Sequence, residues 1–191
     1  MAEQPGRAVE HGENIALTVA FQWSIAVRAQ AERIRTGSGV GRFSDAYLLV
    51  LAVRNVRRAA EMASQHARTG DARDRIAEAI DNLDNELPGA RAVRDVLEHF
   101  DEYSQGRGHL QQPGVKRGKR QPDEDLASQY VINVEGAESD PTALTIRVGD
   151  HSVDLAKSPR AAADLVHAVR AALAAEQGGV AGAEAKPAVG E

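Results

Sequence analysis

The chain has no cysteine. That excludes disulfide frameworks, thiolate-ligated zinc and cysteine nucleophiles, and it suits a reducing cytoplasm. Long apolar runs are also missing. The longest strongly apolar stretch, residues 46–53, falls far short of the roughly 20 residues needed to cross a bilayer. The opening MAEQPGRAVEHGEN places no apolar core behind its charges, so no signal peptide is expected. No serine lies in a nucleophile-elbow sequence. His66, Asp71 and Asp74 lack metal-ligand spacing, so neither a metal nor another cofactor is expected. The glycines of residues 37–42 come without the lysine and preceding strand of a P-loop. No internal repeat is present. The expectation is a soluble, cytoplasmic protein with no membrane association.

What is there reads as a globular chain. A hydrophobic fraction of 42% and a charged fraction of 27% are ordinary for a packed domain. The net charge of −5 argues against a generic nucleic-acid coat. Arginine greatly outnumbers lysine, a compositional bias that carries little mechanistic weight.

Apolar periodicity predicts four helices over residues 13–104. In the first, residues 13–35, Ile15, Val19, Trp23, Ala26 and Ile34 fall near one face. Three glycines within residues 36–41 end it. Ser44 is the expected N-cap of the second helix, with Asp45 in its first turn. The apolar run over residues 47–53 predicts a helix buried all round. A third helix over residues 72–87 carries Ile76, Ile80, Leu83 and Leu87 as its stripe, with Gly70 and Asp71 before it. Pro88 opens a fourth, up to residue 104, with Val93, Val96, Leu97, Phe100 and Tyr103 inward. Short connections predict an up-and-down bundle.

Residues 105–127, with glycines, prolines and a basic stretch, read as a flexible linker. Strands are expected at residues 129–135 and 143–148 around the turn-rich residues 136–141, with a third at 152–155. Ser158 and Pro159 then open a helix to about residue 175, with Leu165, Val166, Val169 and Leu173 as its stripe. The predicted class is mainly α, α+β overall: a four-helix up-and-down bundle followed by a small β-hairpin or meander plus one helix. The organisation is a disordered start at residues 1–12, the bundle at 13–104, the linker at 105–127, a ββ(β)α unit at 128–175 and a disordered tail at 176–191. Two or three strands and one helix are too little to stand alone, so this unit is expected to pack on the bundle or on a second copy.

One short motif carries chemistry. The fourth helix contains Arg94, Asp95 and His99, followed by Phe100, Asp101, Glu102 and Tyr103. An arginine, a polar residue and then a histidine on a late helix of an all-α bundle resembles the signature of the HEPN superfamily (higher eukaryotes and prokaryotes nucleotide-binding). The likeness covers residues 13–104 in architecture and Arg94, Asp95 and His99 in particular. It implies a metal-independent endoribonuclease or RNA-binding module, toxin or phage-defence related. It further implies a homodimer, with RNA as substrate and an antitoxin or other protein as partner. RNA supplies its own nucleophile, the 2′-OH. A histidine titrating near neutrality can move the proton, and an arginine fork can hold the phosphate oxygens. Asp95, four residues before His99, is expected to orient the imidazole. Residues five apart on a helix diverge by roughly 140°, so Arg94 and His99 flank the buried stripe, and the homodimer that the resemblance implies would let two motifs complete one cleft.

Elsewhere, Arg107, Lys116, Arg117, Lys119 and Arg120 can contact phosphate backbone non-specifically, although no aromatic residues are interleaved for stacking. Arg54, Arg57, Arg58 and Arg68 line the second helix and are expected to pair with Glu61, Glu78 or Asp81. The competing reading is a non-catalytic interaction or scaffold protein that dimerises or binds a protein partner.

Overall fold

The structure is a computed structural model and describes residues 7–131, 133–136 and 144–184, with side chains described from Ile15 to Glu176. Its elements in chain order are α1 (Arg7–Thr36), α2 (Val40–His66), α3 (Gly70–Glu86), α4 (Ala90–Glu98), α5 (Phe100–Tyr103), α6 (Glu124–Gln129), β1 (Asn133–Glu135), β2 (Thr145–Val148), β3 (His151–Asp154) and α7 (Ser158–Glu184). The mainly α, α+β class stands. The strands form one antiparallel meander in the order β1-β2-β3. Ile146 sits opposite Val134 and Val153 in its register. Ile132 and the turn expected over residues 137–141 lie outside the described residues.

The ring of four packed helices is α1, α2, α3 and α7, not the first four in sequence. Two contacts fix the direction of α7. Glu176, near the C-terminal end of its described side chains, accepts the backbone N–H of Thr69 at the start of α3. Gly89, just past the end of α3, lies against Ser152, just before α7 begins. So α7 runs antiparallel to α3 and closes an up-and-down arrangement between α3 and α1. Ala162, Leu165, Val166, Val169 and Leu173 are its buried face, the expected stripe with alanine added. α4 is too short to replace it, at 9 residues. It rests instead on α2 and on the sheet through β2 and β3. The strand unit therefore packs within the same chain.

Several boundaries move for identifiable reasons. The α1–α2 connection is only Gly37, Ser38 and Gly39, because Gly39 takes φ 60° and the helix resumes at Val40. Arg42 Nε donates to the Gly37 carbonyl at 2.6 Å, and Arg33 Nε pairs with Asp45 Oδ1 at 2.9 Å. Ser44 is thus inside α2 rather than its cap. The cap of α3 is Thr69, whose hydroxyl accepts from Ala72 N at 3.2 Å. At the start of α7, Asp154 Oδ1 accepts the N–H groups of Ala156 and Lys157, while the buried Ser158 donates its hydroxyl to the Asp154 carbonyl at 2.8 Å. Ser158 is therefore not the cap expected of it. Residues 7–12 are helical, as are residues 176–184, where disorder was expected at both ends.

The interior of α1 uses Ala16, Ala20, Val27 and Ile34, and Ile15 is 55% exposed. The small Ala16 and Ala20 let α2 approach closely, Val19 and Trp23 of the expected stripe pack partly buried against the core, and Ile34 lies within it. α2 is not buried all round. Leu49, Val50, Val53 and Val56 face inward, while Val40, Phe43, Tyr47 and Leu48 are exposed.

Residues 105–127 form a closed loop, not a free linker. Gln111, 7% exposed, donates its amide to the carbonyls of Tyr103 and Leu126 and accepts the N–H of Gly108 at 2.8 Å. Gln112 binds the carbonyls of Gly106 and Gln121, and Asp123 N donates to the Gln105 carbonyl at 2.9 Å. Glycine and glutamine make the segment look solvated, but these amides satisfy its backbone in place of water.

At Gly89 a Cβ would lie 2.0 Å from the Ser152 carbonyl oxygen, so helix and sheet meet backbone to backbone. Gly89→Ala is expected to lower unfolding free energy by about 1–3 kcal/mol, read from urea midpoints. Wild-type stability in that variant would mean the α4–sheet contact is looser than described.

Candidate functional site

Val93 and Val96 are buried, and this sets the rotation of α4. Arg91, Arg94 and Glu98, at spacings of three and four, then share one edge of the helix. That edge meets the arginines of α2. Arg94 Nη1 donates to Glu98 Oε2 at 3.1 Å, and Arg54 pairs with the other oxygen of the same carboxylate. Arg57 is held by Glu61 and by Asp84, the latter at 2.9 Å. The Asp84 hydrogen bond raises the Arg57 guanidinium further above its ordinary value. Among the described residues Arg58 and Arg91 have no ion pair or hydrogen bond, and both are exposed. Of the partners expected for the α2 arginines, Glu61 serves, while Asp84 and Glu98 take the places given to Glu78 and Asp81.

The arginines, with Glu61 and Asp84 but not Glu98, line a groove of about 710 Å³ between α2, α3 and the start of α4. Its floor includes Val50, Val53, Leu83 and Leu87. Five guanidinium groups face it (Arg54, Arg57, Arg58, Arg91 and Arg94) against the carboxylates of Glu61 and Asp84. Even with Glu98 counted, the groove keeps an excess of positive charge.

The three motif residues do not converge. Arg94 lies in the groove, whereas His99 is not among its lining residues. His99 ends α4, with φ −119° and ψ 35°, and its carbonyl accepts the N–H groups of Glu102 and Tyr103. Among the described residues none bonds its half-buried ring. Asp95 does not orient it. Asp95 Oδ2 accepts the Tyr103 hydroxyl at 2.7 Å and pairs with His109 Nδ1 at 2.8 Å. His99 N donates to the Asp95 carbonyl at 3.0 Å, one turn on, but the Asp95 carboxylate is taken by Tyr103 and by His109, which the following loop supplies. Tyr103 is 2% exposed; its hydroxyl also accepts Leu110 N at 3.3 Å. Burial first, and then the Asp95 hydrogen bond, push the Tyr103 phenol above its ordinary value. Burial does the same to Tyr130, whose ring lies 5.5 Å from that of Tyr103. The His109 side chain is 49% exposed, so the clasp joins a solvent-facing imidazole to an interior phenol.

The basic residues of the loop do not form one track. Arg117 and Arg120 pair with Glu102, Arg107 is half-buried, and Lys116 and Lys119 are exposed. Among the described residues no three His, Cys, Asp or Glu side chains cluster as metal ligands, and no helix is long and apolar enough to cross a membrane. Arg91 and His109 were missed from sequence. Arg91 was legible as the residue three before Arg94 on the same helical edge. His109 was hidden because its partner, Asp95, is reached only once the loop folds back.

Comparison with family models, curated proteins and solved structures returns no match.

Raised phenol values carry a sign for stability. Between the ordinary tyrosine value, about 10, and the higher folded value, the unfolded chain binds fewer protons than the native one. Stability present below that range is lost as pH rises through it. Of the 3 tyrosines, Tyr103 and Tyr130 are therefore expected to ionise late in an absorbance titration, with unfolding accompanying the last step. Ionisation of all three at the ordinary value without unfolding would contradict the described clasp.

Proposed function

We propose that the protein binds single-stranded RNA through the arginine groove of α2, α3 and α4. The observation that carries this reading is the set of five arginines over an apolar floor, two of them without a protein partner among the described residues. Guanidinium forks match phosphate oxygens bidentately. The ion pairs of Arg54 and Arg94 with Glu98 are partly exposed, and such pairs are worth on the order of 1 kcal/mol or less, so a phosphate can compete for both cations. RNA rather than another polyanion follows from the HEPN resemblance at Arg94. The binding half of that resemblance is favoured over cleavage, since Asp95 is engaged elsewhere and His99 stands outside the groove.

Fluorescence anisotropy with a labelled single-stranded oligoribonucleotide tests this. Arg58→Ala and Arg91→Ala are each expected to weaken binding and to reduce the slope of log K against log salt by about 0.7. Lys116→Ala and Lys119→Ala change it less, and the RNA remains intact in EDTA. Absence of binding, or slopes indifferent to Arg58 and Arg91, rejects the groove. RNA cut in EDTA by the wild type and not by His99→Ala would instead favour a nuclease.

A second reading, a helical interaction protein that self-associates, is favoured by the exposed apolar Val40, Phe43, Tyr47 and Leu48 at the start of α2. If that face joins two copies, Leu48→Asp halves the mass measured by light scattering. A wild-type monomer at high concentration rejects this second reading.

A further inference from the structure

Beside the arginine groove, on the outer seam of α1 and α2, lies a second, partly open pocket of about 380 Å³. Its walls include Val19, Trp23 and Met62, and its polar groups include Asn55, Gln65 and Arg58. Arg58 lines both spaces. We propose that this pocket is a nucleobase subsite, filled by one base of the RNA strand whose phosphates lie in the groove; the proposal rests on the RNA-binding reading above.

Four observations support that occupant. The indole of Trp23 offers a flat π-face, and stacking on such faces is how single-stranded nucleic acid is held without a duplex. Asn55 and Gln65 carry carboxamides with both donors and acceptor, the pairing that base edges present. Among the described residues neither carboxamide is hydrogen-bonded, so both are free to serve a ligand. The arginine common to both spaces puts a phosphate-binding group at the mouth of an aromatic pocket, as a nucleotide requires. Glu61 also lines the pocket but is held by Arg57. The groove's several arginines give room for more than one phosphate, which favours a strand over a free mononucleotide.

Trp23 is the sole tryptophan, so intrinsic emission reports on this pocket alone. The full-length protein is titrated with hexameric oligoadenylate and oligouridylate, and separately with inorganic polyphosphate, which has the charge but no bases. The expected result is quenching of Trp23 by at least one oligonucleotide and none by polyphosphate, although polyphosphate displaces labelled RNA. Trp23→Leu is expected to weaken oligonucleotide binding about tenfold, and Asn55→Ala to flatten the ranking between the two sequences. RNA binding, seen by anisotropy, without any change in Trp23 emission overturns the base subsite and leaves the groove standing. Equal quenching by polyphosphate also overturns it. Failure of RNA and polyphosphate alike to bind removes the groove reading, and the subsite with it.

Discussion

The insertion of α7 between α1 and α3 is the constraint from which the remaining architecture follows. With that position filled by a long alanine-rich helix, α3 and α1 both pack against α7, and α4 is not required in the ring. It is free to lie across α2 and the sheet, with Val93 and Val96 inward and its arginine edge turned toward α2. The groove is the space left where a short helix meets two long ones at their flank. Had α4 been the fourth member of the ring, Arg91 and Arg94 would stand on an outer face with no second wall.

Competition for carboxylates then decides the chemistry of that space. Glu98 is shared between Arg54 and Arg94, and Asp84 and Glu61 are both spent on Arg57. The cations outnumber the anions that can reach them, and the surplus falls on Arg58 and Arg91. A formal charge of −5 for the whole chain conceals this, because much of the acidic charge lies on other faces and net charge says nothing about a local field.

Periodicity made much of the fold legible. The stripe Ile76, Ile80 and Leu83 and the stripe Leu165, Val166 and Val169 face the interior as their spacing requires. The second and third strands fall close to their β-branched runs, while the first, expected from residue 129, is only Asn133–Glu135, since Gln129 ends α6. What periodicity could not convey was partnership. A stripe states that a helix must bury one side but not against which neighbour, so the place of α7 was read as an appendage. Tertiary contact also overrode composition in residues 105–127, where Gln111 and Gln112 supply hydrogen bonds that no pattern of hydropathy encodes. In the site, Arg94 was legible as a phosphate-binding residue, but three of its companions, Arg54, Arg57 and Arg58, come from α2, about forty residues away in sequence. The pairing expected between Asp95 and His99 fails because Tyr103 and His109, from beyond the helix, take the Asp95 carboxylate.

The clasp of Glu176 on the N–H of Thr69 spans more than half the chain. During vectorial synthesis, α1, α2 and α3 emerge first with an open flank, and the positive end of α3 lacks this carboxylate until the last long helix is made. Such late closure by a sequence-distant element carries a large loop-closure entropy and slows folding. The nascent three-helix form exposes valine, isoleucine and alanine surface throughout that interval, a state that a growing chain has reason to shield.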